Sequence, residues 1–163
     1  MKRLLIVWHS RTGAARAMAE AAARGAADEP GVEARLLPVA EAGPDDLLAA
    51  DGVIFAAPEN LAALSGEMKA FLDRSYYPVL DQLNGRPYGL LVAAGSDGTG
   101  AVRQLTRIVN GWRLKPIAEP IIMNTRAQTP EAILAAKTPE AAALAPCVEL
   151  GAAMAAGLAM GVF

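Results

Sequence analysis

The sequence predicts an α/β fold in which a parallel sheet is covered by helices on both faces. Short apolar runs alternate with helix-like stretches along the 163 residues, as expected for repeated strand and helix units. The central runs are apolar almost throughout, which is typical of strands that are buried on both faces. The length suits a single domain spanning residues 1–163. The five predicted strands are Leu4–Trp8, Ala34–Val39, Gly52–Ala57, Tyr88–Ala94 and Ile117–Met123.

The segments between the strands predict four longer helices and two short ones. The first helix is rich in Ala, Met, Glu and Arg, which are good helix formers. The last contains many alanines and leucines and carries few charges. The predicted longer helices are Gly13–Gly25, Ser65–Leu83, Gly98–Gly111 and Pro139–Met160, and the short turns or helices are Pro44–Leu48 and Pro130–Lys137.

The turn between the first strand and the first helix predicts a phosphate site. It reads His9-Ser10-Arg11-Thr12-Gly13. A helix start presents unpaired backbone N–H groups and the positive end of the helix dipole, and hydroxyls at Ser10 and Thr12 add donors. The alternative is that Ser10 or Thr12 simply caps the helix. Five strands with such a turn after the first favour the doubly wound strand order 2-1-3-4-5.

Three loops are expected to meet at one edge of this sheet. They follow the first, third and fourth predicted strands, and ligands in doubly wound folds bind outside the carboxyl ends of the strands. The third loop, Gly95–Gly100, contains three glycines whose backbone can approach the polar edge of a flat heterocycle. Its alternative interpretation is a flexible turn in which Ser96, Asp97 or Thr99 caps the next helix.

Several kinds of site lack their sequence motifs. Neither a G-x-G-x-x-G turn nor a G-x-x-x-x-G-K-[ST] loop is present, which disfavours dinucleotide and nucleoside triphosphate sites of those types. Neither a Cys nor an Asp pair follows the first strand, so a small tyrosine phosphatase and a phospho-accepting receiver are disfavoured. One His and one Cys far apart give no metal-ligand spacing, and no metal site is predicted.

Charge and cysteine content restrict the partners and the compartment. The formal net charge is −2 and no Lys/Arg cluster exceeds two residues, so no nucleic-acid partner is predicted. His9 is expected to be a hydrogen-bonded loop residue rather than a catalytic base. The lone Cys147 is expected to be an inert, packed thiol in a reducing compartment.

The two ends of the chain predict a cytoplasmic protein without a membrane span. The apolar run behind Lys2 and Arg3 is too short for a signal peptide. The uncharged stretch Leu150–Phe163 is shorter than the roughly 20 residues of a spanning helix. We expect it to be a buried final helix that is shared with a partner subunit, in a homodimer or a higher homo-oligomer.

The most specific motif in the chain is Ser65–Arg74, which reads SGEMKAFLDR. It resembles the S-G-x-M-K-x-F-x-D-R pattern that follows the second flavin loop in flavodoxin-like reductases. Pro58 stands where those proteins carry a proline before that loop, and Ala94–Gly100 is similar to their third loop. The chain therefore resembles the flavodoxin-like superfamily, and within it single-domain flavodoxin-family proteins and NAD(P)H-dependent FMN or quinone reductases.

The resemblance implies an FMN site and a five-stranded flavodoxin-like sheet. It implies no catalytic side chain, because the flavin carries the chemistry. The implied phosphate residues are Ser10, Arg11, Thr12, Gly13, Ala14 and Ala15; those along the isoalloxazine are Pro58, Glu59, Asn60 and Leu61; those at its pyrimidine edge are Gly95, Ser96, Asp97, Gly98 and Gly100.

Two differences from the family pattern predict weaker FMN binding. Flavodoxins commonly have Asn and Thr where this chain has Ala14 and Ala15, so two side-chain donors are missing. The loop Glu59–Leu64 contains no aromatic residue to stack on the flavin. Charge pairing by Arg11 and Arg16 is expected to compensate in part.

Three functions remain open from the sequence. The first is an enzyme in which FMN takes reducing equivalents from NADPH or NADH and passes them to a small-molecule electron acceptor such as a quinone or a flavin. The second is an electron carrier that docks to protein partners. The third is a domain that kept the fold with weak or lost FMN binding and acts through its interactions.

Overall fold

The computed structural model describes residues 1–163 and has three layers, with a central sheet between two helical layers. Strands and helices alternate along most of the chain, as the sequence predicts. The strands are β1 (Lys2–Trp8), β2 (Val32–Pro38), β3 (Gly52–Asn60), β4 (Ala63–Leu64), β5 (Pro87–Ala94), β6 (Lys115–Pro116) and β7 (Ile121–Asn124). The helices are α1 (Ala14–Ala26), α2 (Pro44–Ala49), α3 (Gly66–Ser75), α4 (Thr99–Gly111), α5 (Pro130–Leu134) and α6 (Ala141–Met160).

The sheet has the predicted order. Its main path runs β2-β1-β3-β5-β6, and all of these neighbours pair in parallel. The short β4 lies off this path and forms an antiparallel hairpin with the end of β3. Omitting that hairpin strand gives the order 2-1-3-4-5, so the prediction of a doubly wound sheet is confirmed.

The predicted fifth strand, Ile117–Met123, is interrupted. β6 pairs with Pro87 and Tyr88, and β7 pairs with Leu91 to Ala94 at the other end of β5. Pro120 lies between them and has no N–H group to donate to a ladder. The strand is therefore replaced by two short segments along the same edge of β5.

Helix α3 is shorter than predicted, since it ends at Ser75 instead of Leu83. Pro78 explains the early end. Within a continuing helix its ring would clash with the carbonyl group of Arg74, and it would lack the N–H of a helical hydrogen bond. The predicted turn Pro130–Lys137 is likewise helical only as far as Leu134.

Apolar side chains fill both faces of the sheet. Along β1, Leu5 and Val7 belong to the core cluster beneath α3 and α4, whereas Leu4 and Ile6 belong to the cluster beneath α1 and α6. This alternation follows from the two-residue repeat of a strand. All eight residues of β5 are buried, as a strand covered on both faces requires.

Helices α1 and α6 are in direct backbone contact through two glycines. A Cβ atom on Gly25 would lie 2.0 Å from the carbonyl oxygen of Val148, and one on Gly151 would lie 1.9 Å from that of Ala22. Any side chain at either position would hold the two helices apart. The contact fixes α6 against α1, the helix that begins at the phosphate turn.

Helix α6 is 20 residues long and, with a mean hydropathy of 1.6 over an 18-residue window, is long and apolar enough to cross a membrane; one face of it is buried in this fold. Its buried face includes Leu150 and Met154, which pack in the cluster with α1. Cys147 is also buried there, and burial raises the pKa of its thiol to about 11, as expected for an inert cysteine. Beyond this face, Met160, Val162 and Phe163 are exposed, and their burial by a partner subunit stays a prediction.

Candidate functional site

A cavity of about 200 Å³ opens at the carboxyl edge of the sheet, where the three predicted loops meet. It contains residues of all three loops. The sequence-predicted site residues that line it are Ser10, Arg11, Thr12, Ala14, Ala15, Pro58, Glu59, Asn60 and Gly95.

The phosphate turn combines the two interpretations that the sequence left open. The Ser10 hydroxyl accepts a hydrogen bond from the amide of Gly13 at 3.0 Å, so it does stabilise the turn. Gly13 has a φ of +108° and directly precedes the first helical residue. The amides of Ala14, Ala15 and Arg16 donate to no acceptor in the protein. The turn is thus fixed by Ser10, and three helix amides remain available for a ligand.

The two arginines next to the turn are paired with carboxylates. Arg11 lies 3.2 Å from Glu67, and Arg16 lies 2.7 Å from Glu20. The Arg16 guanidinium also lies over the Trp8 ring, 5.5 Å from its centre. These contacts orient both arginines toward protein groups. The paired carboxylates offset part of the positive charge that the arginines would otherwise present to a bound anion.

His9 is hydrogen-bonded within the fold, as the sequence predicts. Its Nδ1 lies 2.9 Å from the Oγ of Ser65, which is fully buried, and its Nε2 lies 3.6 Å from Glu67. Burial lowers the pKa of His9; the nearby Glu67 carboxylate opposes this effect and Arg11 adds to it. His9 lies outside the lining of the site and contacts a separate cavity beside α3.

The lowered pKa of His9 predicts a pH-dependent stability. Near neutral pH the folded protein holds a neutral imidazole, whereas the unfolded chain takes up a proton below about pH 6.5. Stability from this group is therefore present at higher pH and is lost as the pH falls through that range. We expect the thermal midpoint to fall more between pH 7.5 and 5.5 for the wild type than for His9→Gln. Equal falls would contradict this assignment.

Glu59 joins the second loop to the third. Its carboxylate accepts hydrogen bonds from the amides of Gly98 at 2.9 Å and Ala101 at 3.0 Å, and so caps the amino end of α4. At two of the third-loop glycines the backbone itself requires glycine, whether or not a ligand binds. Gly98 has a φ of +95°, and a Cβ on Gly100 would lie 2.1 Å from the carbonyl oxygen of Ala62. Of the three glycines, only Gly95 lines the cavity.

The remaining predicted site residues lie beside the cavity rather than in its lining. Ser96 and Asp97 are exposed, and the Asp97 carboxylate accepts the hydroxyl of Thr99 at 2.7 Å. Leu61 lies at the tip of the hairpin between β3 and β4 with its side chain fully exposed. The residues that the structure places outside the lining are Gly13, Leu61, Ser96, Asp97, Gly98 and Gly100.

The hairpin tip has an unfavourable backbone for its residues. Leu61 and Ala62 have φ values of +52° and +61°, the pattern of a two-residue type I′ turn, which favours Asn-Gly. We expect the double variant Leu61→Asn, Ala62→Gly to raise the free energy of unfolding by about 1–2 kcal/mol, because a left-handed conformation is costly for other residues. Urea denaturation measures the change. A loss of stability would show that Leu61 contributes contacts that outweigh its strain.

A segment missed by the sequence analysis also lines the site. We call residues 125–140 the covering segment; they follow β7 and run from the third loop to the phosphate turn. The Thr125 amide donates to Ala94 at 2.7 Å, the Gln128 side chain donates to Gly95 at 3.0 Å, and the Lys137 amide donates to Thr12 at 2.7 Å. The predicted strand order could have indicated this segment, because a last strand parallel to β5 ends at the same edge of the sheet as the three loops. Its lining residues are Thr125, Ala127, Ile133, Leu134 and Lys137.

A family comparison matches the part of the chain that contains the second and third loops. The model of the NADPH-dependent FMN reductase family matches residues 44–129, which is more than half of the chain. The chain belongs to this family. The matched residues include the second and third loops and the beginning of the covering segment, while the phosphate turn precedes them.

Curated relatives of this FMN reductase family member have related names. A flavodoxin of Aquifex aeolicus is 38% identical over 100 residues, covering 61% of this chain and 52% of the relative. An NAD(P)H dehydrogenase (quinone) of Acidithiobacillus ferrooxidans is 36% identical, covering 46% of this chain and 48% of the relative. The chain thus spans about half the length of the curated relatives it matches.

Solved structures show that the fold is flavodoxin-like. A flavodoxin from the domain Archaea superposes with a TM-score of 0.77 at 16% identity, covering 96% of this chain and 98% of that one. The flavodoxin, WrbA-like protein from Agrobacterium tumefaciens gives a TM-score of 0.70 at 21% identity and covers 99% of each chain. The resemblance and the fold class predicted from the sequence are both confirmed.

The phosphate turn fits the phosphate of FMN on its own geometry. Three amides without acceptors lie at the start of the 13-residue helix α1, and two of them belong to residues that line the cavity. An anion at such a helix start receives both hydrogen bonds and the field of the helix dipole. Ala14 and Ala15 supply amides only, and the weaker FMN binding expected from the absence of side-chain donors there stays a prediction.

Proposed function

We propose that this protein binds FMN at the carboxyl edge of its sheet and passes reducing equivalents from NADPH or NADH to a quinone, a flavin or a similar small acceptor. The observation that carries the proposal is the set of free amides of Ala14, Ala15 and Arg16 beside a cavity to which all three predicted loops contribute residues. When bound, FMN supplies the hydride and electron chemistry.

The protein's part is to bind and orient the cofactor. The Ser10 hydroxyl holds the turn whose amides would bind the phosphate. Pro58 and Asn60 on one side and Gly95 on the other would flank the flavin. Glu59 ties these two walls together through the amino end of α4, so their separation is fixed before the ligand arrives.

The proposed reaction requires no catalytic side chain. His9 is the one histidine of the chain and belongs to the turn, but its ring is hydrogen-bonded to Ser65 and lines a different cavity. The proposed reaction is tested by loading the purified protein with FMN under anaerobic conditions and adding NADPH or NADH. We expect the bound-flavin absorbance to bleach and to return when a quinone is added.

Each other outcome of this experiment has a defined meaning. Free FMN at the same concentration is the control for direct reduction. If dithionite bleaches the bound flavin but neither nicotinamide does, the reductase proposal is wrong and the electron carrier takes its place. If the protein binds no FMN, both are wrong.

The electron carrier is the second candidate because of one surface feature. Leu61 is a fully exposed apolar residue at the tip of the hairpin beside the cavity, where a docking partner could cover it. The net charge of −2 supports this candidate poorly, since electrostatic steering of carrier encounters depends on a strong charge.

A further inference from the structure

Three cations lie around the phosphate turn, and only one is free of a carboxylate. Arg11 is paired with Glu67 and Arg16 with Glu20. Lys137, in the covering segment, lines the same cavity as Thr12 and has no carboxylate within 4 Å. Its positive charge is therefore the one beside the turn that no ion pair offsets.

The backbone of Lys137 is fixed against the phosphate turn. Its amide donates to the carbonyl oxygen of Thr12 at 2.7 Å. Its own carbonyl oxygen is so close to Gly13 that a Cβ there would lie 3.1 Å away. These two contacts hold the residue at the start of α1, where Ala14 and Ala15 have free amides. The position depends on backbone atoms and not on the lysine side chain.

The Lys137 ammonium group is held only by neutral acceptors. It donates to the carbonyl oxygens of Ala132 at 2.8 Å, Ile133 at 3.1 Å and Ala135 at 2.5 Å, around the end of α5. A charge-assisted hydrogen bond to a phosphate oxygen is roughly twice as strong as a hydrogen bond between neutral groups. A flexible four-carbon stem allows one of these contacts to be exchanged.

We infer that Lys137 is a phosphate-binding residue for FMN and replaces the side-chain donors that are missing at Ala14 and Ala15. This inference rests on the proposed function. The covering segment delivers one full positive charge to a turn that otherwise offers backbone amides, the Thr12 hydroxyl and two arginines in ion pairs. The cofactor phosphate is then held from two parts of the chain that are more than 120 residues apart.

The test compares FMN with riboflavin, which lacks the phosphate. We expect Lys137→Met to raise the dissociation constant of FMN about 10- to 100-fold and to leave that of riboflavin within twofold, since a lost hydrogen bond to a charged group has this size. The FMN affinity of the variant should also depend less on salt. Lys137→Arg, which keeps the charge, should bind FMN more tightly than Lys137→Met.

The matched control is Lys115→Met, which removes one positive charge at the opposite end of the sheet, where Lys115 pairs with the beginning of β5. It should bind both flavins as the wild type does. An unchanged FMN affinity in Lys137→Met, or an equal loss for FMN and riboflavin, would overturn the inference and leave Lys137 as a cap of α5. If the wild type itself binds FMN no more tightly than riboflavin, both the proposed phosphate site and the role of Lys137 are wrong.

Discussion

The variant Thr12→Asp is expected to weaken FMN binding at least about 100-fold and to leave the protein folded. Thr12 lies in the phosphate turn and lines the cavity, so a carboxylate there would face the cofactor phosphate. Two unit charges 4 Å apart interact by about 4 kcal/mol at an effective dielectric constant near 20. An acidic residue just before a helix is favourable for the helix itself. The Thr12 hydroxyl makes no hydrogen bond within the protein, so its loss costs the fold little.

The control for this experiment is Thr12→Asn, which has nearly the same shape as Asp and no charge. Both variants are titrated with FMN and with riboflavin while flavin fluorescence is followed. Of the four combinations of variant and flavin, only Thr12→Asp with FMN should show weakened binding. If Asp and Asn bind FMN within threefold of each other, the phosphate does not lie at this turn. Gly13 is less suitable for the test, because any side chain there is strained and approaches Lys137.

The second large effect is expected at the contact between α1 and α6. We expect Gly151→Ala to lower the free energy of unfolding by about 3 kcal/mol or more, at the upper end for overpacked cores. Its Cβ would lie 1.9 Å from the carbonyl oxygen of Ala22, and the nearest atoms are all backbone atoms of α1. The two helices would have to separate. Such a loss is a large part of the 5–15 kcal/mol that stabilises a typical domain.

Gly111→Ala is the matched control. Gly111 is the last residue of α4, and a Cβ there would meet nothing within 4 Å. This variant should be as stable as the wild type or more stable by about 0.5–1 kcal/mol, since alanine is favoured over glycine in a helix. Urea denaturation of the wild type, Gly151→Ala and Gly111→Ala measures the free energy of unfolding of each. A Gly151→Ala midpoint equal to that of Gly111→Ala would show that the close contact is absent in solution.

The sequence predicted the sheet well because buried parallel strands leave a strong local signal. Runs such as Gly52–Ala57 and Tyr88–Ala94 have no polar interruption, and each ends in a recognisable loop. Strand order and the meeting of three loops at one edge then follow from general rules of α/β folds. Ser10 and Thr12 were predicted from the turn itself, whereas the other lining residues of the phosphate turn and the second loop were implied by the family resemblance.

The remaining features depend on contacts between distant residues. Glu59 caps α4 across about 40 residues, and the amide of Gly98 that donates to it lies at the start of this helix, outside the cavity lining. The covering segment crosses the site because Lys137 bonds to Thr12, which no local pattern encodes. The end of α3 was predictable from Pro78, and the apolar residues after it, such as Val79 and Leu83, obscured that signal.

A crystal structure of the protein with FMN would show whether the cofactor phosphate binds at the start of α1. We expect phosphate oxygens within about 3.2 Å of the amide nitrogens of Ala14 and Ala15. We also expect the flavin ring to lie between Pro58 and Gly95. A phosphate bound outside the turn, or a ring in the separate cavity beside His9 and α3, would contradict the proposed site.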